Sequence, residues 1–247
     1  VSTASQQATA KYFVIVALLF LAQVLVGGMT AHYRADSSGF YGFDLSRLVP
    51  SYLARTWHLQ LAIFWIATAY VAGGILLAPV IGGKEVRGQT TGVNVLFWAL
   101  VLVVLGSMFG EMHGINRKLG SLWFWLGHQG WEYLDLGRLW QILLIVGLFL
   151  WVFILFRGVR GRLPEQHFGN MPWMLFYAAL AIPAFYAVGL LASPNQSFVV
   201  NDFWRFWVVH LWVEDFLELF TTVIVAYMFV LLGVVREATA LRVIYLD

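Results

Sequence analysis

Cysteine is absent from this sequence, and charge is scarce. None of the 247 residues is cysteine, and only 11% are charged. The missing cysteine excludes disulfides, iron–sulfur clusters and thiolate metal sites, so His, Glu and Asp remain as the strong metal ligands. A soluble globular domain carries roughly 25% charged residues, so the low charge argues against that class. The net charge of +2 contains no block of either sign and indicates no nucleic-acid partner.

Apolar residues dominate the composition instead. They make up 61% of the sequence, and the mean hydropathy is +0.78. A helix needs about 20 apolar residues to cross a bilayer. Stretches of that size run approximately over residues 10–33, 52–82, 90–112, 134–157, 171–193 and 203–235. Because these runs are continuous and lack the period-two alternation of barrel strands, the sequence predicts an all-α, polytopic membrane helix bundle with about six transmembrane helices.

The predicted spans form a single transmembrane domain, because neither an internal repeat nor a polar linker divides residues 1–247. A cytoplasmic amino terminus places eight of the fifteen basic residues on the cytoplasmic side, which weakly favours that orientation. The sequence opens at Val1 rather than at Met, and it stops shortly after another apolar run begins at Ala238. We therefore expect a piece of a longer polypeptide.

The last predicted span contains a polar stripe. His210, Glu214 and Glu218 are spaced four residues apart on one helix face, with Asp215 about 100 degrees round the helix from Glu214. An unpaired carboxylate in hydrocarbon costs roughly 2.5 to 3.5 kcal/mol on insertion scales, so we expect these groups to turn inward and find partners. An imidazole and a carboxylate one turn apart can chelate one ion, and this donor pair suits iron better than copper.

Two alternatives to a metal site remain open for this stripe. In the first, the ionisable groups pair with neighbouring helices for packing alone. In the second, Glu214, Asp215 and Glu218 couple the movement of protons or ions in a transporter without redox chemistry.

A second histidine, His58, lies about one turn into the second predicted span. Aliphatic and aromatic residues surround it in the sequence, and it has no acidic neighbour. A neutral imidazole in such a setting suits an axial ligand of a haem held between helices, although a lone buried histidine is also common as a structural residue. Arg55, three residues earlier, either reaches the membrane surface or binds a haem propionate.

Two segments of the chain, residues 54–58 and 203–219, carry a resemblance to a known family. They resemble the catalytic subunit of bacterial nitric oxide reductase, within the haem-copper oxidase superfamily, and the likeness extends over essentially the whole chain. In oxygen-reducing members the equivalent helix looks like His-Pro-Glu-Val-Tyr, with a tyrosine one turn after the metal histidine. This sequence has Glu214 in that place.

The resemblance implies roles for the polar residues of both segments. His58 would be an axial ligand of a low-spin haem b, and His210 and Glu214 would be ligands of a non-haem iron beside a high-spin haem b. Glu218 would be a nearby carboxylate that supplies protons. The family's His-His pair for the iron and its remaining haem histidines are absent from this sequence. The resemblance therefore implies that helices downstream in the same polypeptide complete the site.

A third segment, residues 122–138, bears on the electron donor. Its His-Gln-Gly-Trp-Glu run, which contains His128 and Glu132, is similar to the quinol-dependent branch of the family. There these two residues are associated with a lipid-accessible quinol pocket, and the branch carries an upstream helix and an outer domain. A quinol needs an apolar slot and groups that accept protons. In the cytochrome-linked branch the matching glutamate looks like a calcium ligand, so a calcium ion near Glu132 is the alternative.

The function that follows from the resemblance is the reduction of two NO to N2O and water with electrons from quinol. The implied setting is the inner (cytoplasmic) membrane of a bacterium. The implied partners are membrane lipid, quinol, nitric oxide and the remainder of the same polypeptide, with a homodimer left open. An oxygen-reducing terminal oxidase of the same superfamily is the nearest alternative, and the transporter is the alternative from another class.

Overall fold

Long apolar helices account for most of the structure. The computed structural model describes residues 2–37, 42–163 and 169–247. In chain order the first helices are α1 (Ala4–Ala35), α2 (Ser51–Gly82), α3 (Gln89–Ile115), the one-turn α4 (Trp123–Leu126), α5 (Arg138–Val159) and α6 (Met171–Val188). All of these except α4 are long and apolar enough to cross a bilayer, giving five candidate spans within the described residues. The described ranges contain no β-strand, and the predicted polytopic helical bundle is confirmed.

The predicted sixth span differs from the other five. It is helical from Phe198 to Leu231, but two π-helical segments interrupt it. In order, it consists of α7 (Phe198–Phe206), the π-helical segments Trp207–Trp212 and Asp215–Phe220, and α8 (Thr221–Leu231); a short α9 (Glu237–Ile244) follows. Within the described residues, Glu218–Leu231 is an apolar helical stretch shorter than the five candidate spans. The predicted set of about six is thus five uniform spans and one interrupted helix.

The connection between α2 and α3 holds the start of α1. The Glu85 carboxylate accepts hydrogen bonds from the backbone N–H groups of Ala4 and Ser5, at 3.0 and 2.9 Å, and from the hydroxyl of Thr90 at 3.0 Å. Burial alone would raise the pKa of Glu85, but these hydrogen bonds outweigh burial and hold the pKa below its usual range. A carboxylate also complements the positive end of the α1 dipole. The start of α1 and the α2–α3 connection therefore lie at the same end of the bundle.

Aromatic packing joins α5 to the interrupted helix in the interior. Trp151 and Phe220 lie edge to face with ring centroids 5.3 Å apart, and both side chains are fully buried. Trp151 Nε1 also donates to the Val71 carbonyl of α2 at 3.2 Å. Large apolar side chains cover the outside of the bundle, for example Trp98, which is 66% exposed. That distribution is the one expected of a protein whose outer surface faces lipid.

Candidate functional site

A tight loop between α4 and α5 carries two of the predicted site residues, His128 and Glu132. Residues 127–137 turn back on themselves, since the N–H of Gln129 donates to the carbonyl of Asp135 at 2.8 Å and His128 pairs with Leu136 in an isolated antiparallel bridge. We call residues 127–137 the His128 loop. Its two arms bring the side chains of His128 and Asp135 together at its base.

Glycines of α3 fix the position of the His128 loop. A Cβ at Gly114 would lie 2.8 Å from Gly127 Cα, and a Cβ at Gly110 would collide with the carbonyl oxygen of Leu126. Trp140 Nε1 donates to that same carbonyl at 2.9 Å. The backbone of residues 126 and 127 approaches α3 this closely only because the α3 positions that it meets are glycines, which have no side chain.

His58 is held by residues of α1. Its Nδ1 lies 3.0 Å from the backbone carbonyl oxygen of Gln23. Because a carbonyl oxygen can only accept a hydrogen bond, this contact assigns the proton to Nδ1. Nε2 then carries the lone pair that a metal ligand requires, and the side-chain amide of Gln23, whose nitrogen lies 3.4 Å away, approaches that lone pair and would have to move for a metal to bind. Gly27 lies directly beneath the ring, where a Cβ would be 2.5 Å from His58 Cε1. The ring is therefore oriented by a hydrogen bond and by a position that accepts no side chain.

These features fit an axial haem ligand. A metal-bound histidine usually donates its other ring N–H to a carbonyl or carboxylate, as His58 does. A cavity of about 170 Å³ adjoins the imidazole and is lined by Arg55, Thr56, His58, Leu59, Glu132 and Asp135. Two residues at predicted positions, Arg55 and Glu132, thus share a cavity with His58.

Glu132 is bound by two arginines. Its carboxylate forms ion pairs with Arg55 of α2 and with Arg205 of α7, the latter at 3.4 Å. Arg205 Nε also donates to the Glu132 carbonyl at 3.1 Å. The side chains of Arg55 and Glu132 are 61% and 38% exposed, so solvent screens their attraction and the pairs position the loop more than they stabilise the fold. Arg55, predicted as a propionate ligand, contacts a carboxylate of the chain itself here.

His128 lies beside Asp135. The distance from His128 Nε2 to Asp135 Oδ1 is 3.1 Å, but Nε2 has no hydrogen-bond partner among the described residues, so the contact is a close electrostatic one. The other carboxylate oxygen of Asp135 accepts a hydrogen bond from Gln60 Nε2 of α2 at 3.1 Å. Asp135 and Gln60 are buried, at 4% and 2% exposure.

Further buried polar groups surround this pair, and sequence reasoning singled out none of them. Glu111 of α3 is fully buried, and neither of its carboxylate oxygens has a hydrogen-bond partner among the residues that the structure describes. Arg138, at the start of α5, donates to the Ala192 carbonyl. A signal for Glu111 existed in the sequence, because an acidic residue inside a predicted span is a functional candidate by default.

His210 and Glu214 come together as predicted. His210 Nδ1 lies 3.2 Å from Glu214 Oε1, and the imidazole stacks on Phe206 with ring centroids 4.7 Å apart. His210 lies within the first π-helical segment and Glu214 directly precedes the second, and such segments occur frequently at functional sites. The His210 and Glu214 side chains are 50% and 42% exposed. No helix in the described ranges covers this face, which differs from the predicted inward orientation.

The other acidic residues of the stripe diverge. Glu218 is exposed, whereas Asp215 is 4% exposed and its carboxylate has no hydrogen-bond partner in the described part of the chain. Within that part, no group of three or more His, Cys, Asp or Glu side chains is arranged to hold a metal. His210 and Glu214 could therefore supply two ligands at most, and a complete metal site would need more.

Comparison with known proteins places the chain in a family. Residues 7–246 match the family described as Cytochrome C and Quinol oxidase polypeptide I. The chain belongs to that family. It is also similar to a nitric oxide reductase subunit of Stutzerimonas stutzeri, with 28% identity over 239 residues. That alignment covers 94% of this chain and 47% of the relative, so the chain spans about half the length of the curated relative it matches. The predicted family is thus confirmed.

Proposed function

We propose that this chain is part of a membrane-bound nitric oxide reductase, which converts two NO, two electrons and two protons to N2O and water. The His210–Glu214 pair carries the proposal, because a carboxylate at hydrogen-bond distance from the metal histidine stands where oxygen-reducing members of the family look to have a tyrosine. The similarity to a nitric oxide reductase subunit supports the same reaction. We place the enzyme in a bacterial cytoplasmic membrane.

His210 and Glu214 would hold a non-haem iron, together with ligands from the remainder of the polypeptide. Bound there, beside a high-spin haem b, the iron would supply Lewis acidity and electrons to the joined NO molecules. Glu218, one turn beyond Glu214 and exposed, would supply protons toward that face. Phe206 stacks on the imidazole and restricts its rotation.

Glu214→Ala tests this assignment. We expect loss of non-haem iron with the low-spin haem retained, measured by metal analysis and absorbance spectroscopy of the assembled enzyme. Asp202→Asn, at the start of the same helix and paired with Arg205, is the matched control and should keep its iron. Full iron and full turnover in Glu214→Ala would remove the carboxylate from the ligand set. Copper in place of non-haem iron would identify an oxygen-reducing oxidase.

His58 would hold the low-spin haem b through Nε2. That haem would supply one-electron transfer between the donor and the reaction centre. Gln23 and Gly27 orient the imidazole, and the cavity of about 170 Å³ beside it accepts only part of a macrocycle, so other helices of the polypeptide would complete the haem site. Arg55 lines the same cavity, and its guanidinium would leave the Glu132 carboxylate to pair with a haem propionate.

A quinol would deliver the electrons at the His128 loop. Of the two residues in its His-Gln-Gly-Trp-Glu run, His128 is the better placed to take a proton from the quinol, because the Glu132 carboxylate is engaged by two guanidinium groups. Glu132 would then position the loop, and its engagement by Arg55 and Arg205 weighs against a calcium ion at that carboxylate. A second copy of the assembled enzyme, as a homodimer, stays a prediction.

His128→Ala tests the donor site. We expect loss of turnover driven by a short-chain ubiquinol, with turnover driven by an artificial reductant and mediator preserved. His113→Ala is the control, since that imidazole pairs with the carbonyl and ring of Phe109 in its own helix and with no other helix in the described ranges. Equal loss of turnover with both donors would mean that His128 acts at the reaction centre or stabilises the fold.

One observation favours a second candidate, a proton-coupled or ion-coupled transporter. Asp215 is buried in the membrane region and has no hydrogen-bond partner within the described ranges, which is the situation of a carboxylate that binds a proton or an ion in transit. An absorbance spectrum of the purified protein without haem bands would favour that transporter and remove the haem role of His58.

A further inference from the structure

The side chains of Gln60, Asp135 and His128 form a continuous row from α2 to the His128 loop. Gln60 Nε2 donates to Asp135 Oδ2 at 3.1 Å, and Asp135 Oδ1 lies 3.1 Å from His128 Nε2. Asp135 and Gln60 are almost fully buried, whereas 19% of the His128 side chain is exposed. The row therefore runs from the protein interior to an imidazole that a ligand can reach.

The backbone of the loop fixes this arrangement. The hydrogen bond from Gln129 N–H to the Asp135 carbonyl, at 2.8 Å, and the bridge between His128 and Leu136 tie the two arms together next to both side chains. Glycines 110 and 114 hold the same loop against α3. The imidazole and the carboxylate thus face each other whether or not a ligand is present.

Asp135 is surrounded by other titratable side chains. The ring of His128, Glu111 of α3 and Tyr186 of α6 interact with it, and Glu111 contributes a second buried carboxyl group. Arg55, His58 and Glu132 line the same cavity as Asp135, and the Arg55 guanidinium is paired with Glu132. Arg138 is directed to the Ala192 carbonyl by a hydrogen bond. A protonated His128 would therefore be stabilised by Asp135, since a buried carboxylate without a cationic partner is costly.

We propose that Asp135 is a positioning residue for the donor site. It holds Nε2 of His128 toward itself and leaves Nδ1 free of any hydrogen bond from the described residues, so that Nδ1 takes a proton from the quinol hydroxyl. Full oxidation to the quinone breaks the two O–H bonds and releases two electrons and two protons. One proton goes to His128 Nδ1 and the other to water, and the electrons would pass one at a time through the low-spin haem proposed at His58 to NO, the oxidant. The Asp135 side chain faces the imidazolium that forms, and a small rotation of the ring completes the hydrogen bond between Nε2 and Oδ1.

Asp135 also connects the donor loop to the haem ligand. It lines the same cavity as His58, so one carboxylate contacts the imidazole that takes the proton and faces the space beside the imidazole that binds the haem. Proton release and electron transfer from a quinol would therefore occur on two sides of a single side chain. This inference rests on the proposed quinol site at His128.

Asp135→Asn tests the proposal, since the amide keeps the size of the side chain and removes its charge. With a short-chain ubiquinol as the probe, we expect kcat to fall at least tenfold, while KM and mediator-driven turnover stay within about twofold of the parent. Asp135→Glu should restore part of the rate. Asp44→Asn, an exposed aspartate in the α1–α2 connection, is the control.

A measurement without turnover separates positioning from folding. In the enzyme labelled with ¹⁵N-histidine, the resonances lost in His128→Ala identify His128, and we expect Asp135→Asn to shift the Nε2 resonance, because the carboxylate oxygen 3.1 Å away is replaced. The haem absorbance spectrum should be unchanged. An unshifted His128 resonance, or equal loss of quinol-driven and mediator-driven turnover, would overturn the role of Asp135.

Failure of the donor site and failure of the Asp135 role give different results. If His128→Ala keeps full quinol-driven turnover, the donor site itself is wrong. If His128→Ala loses that turnover and Asp135→Asn behaves like Asp44→Asn, the donor site stands and the role of Asp135 is overturned.

Discussion

Replacing Gly27 by alanine should displace His58 and weaken haem binding. The new Cβ would lie 2.5 Å from His58 Cε1 and 2.8 Å from Nδ1, whereas ordinary contacts begin at 3.4 Å. The ring must therefore retreat by about 0.9 Å, the difference between 3.4 and 2.5 Å. Such a movement strains the 3.0 Å contact between His58 Nδ1 and the Gln23 carbonyl, which orients the ring.

The magnitude follows from the cost of overpacking. Inserting a methyl group into a tightly packed site costs about 1–3 kcal/mol, which corresponds to roughly 5- to 150-fold in an equilibrium constant. Haem content, measured by the pyridine haemochrome assay, and the reduced-minus-oxidised spectrum of the low-spin haem report the loss. We expect a lower haem content in Gly27→Ala than in the parent.

Gly28→Ala is a matched control, because nothing lies within 4 Å of its added Cβ and it shares the same helix. Both substitutions gain the same helix propensity, about 1 kcal/mol per residue, so only the contact with His58 distinguishes them. Equal haem content and equal spectra in the two variants would refute the assignment of His58 as a haem ligand held by Gly27.

Two further predictions concern other parts of the bundle. Glu85→Gln should lower the melting temperature at neutral pH, and the difference from the parent should shrink as the pH falls below about 4.5. A carboxyl group whose pKa is depressed in the folded state stabilises that state at pH values above its ordinary pKa, and this stabilisation is lost when the group is protonated. A pH-independent difference in melting temperature would contradict this expectation. Gly110→Ala should push the Leu126 carbonyl away from α3 and lower quinol-driven turnover, whereas Gly147→Ala, with nothing within 4 Å of its Cβ, should not. Equal turnover in these two variants would count against the role of α3 in seating the His128 loop.

Much of the fold was predictable because a bilayer imposes a simple pattern. Continuous apolar runs of about 20 residues can only become helices in lipid. The limits of the helices depend on finer features: α1 starts at Ala4 because Thr3 and Gln6 cap it reciprocally, and α5 starts at Arg138 because Gly137 ends the His128 loop. The π-helical segments at Trp207–Trp212 and Asp215–Phe220 have no periodic signal in the sequence.

Local sequence was enough to establish the membrane class, the family and the proximity of His210 to Glu214, since residues one helical turn apart meet whatever surrounds them. The partners of His58, Glu132 and His128 depend on the tertiary structure, because each partner lies on another helix or on the far arm of a loop. Gln23 orients His58, Arg205 binds Glu132, and Asp135 faces His128. Side chains that distant in sequence are brought together by helix packing, and no local pattern specifies which ones will meet.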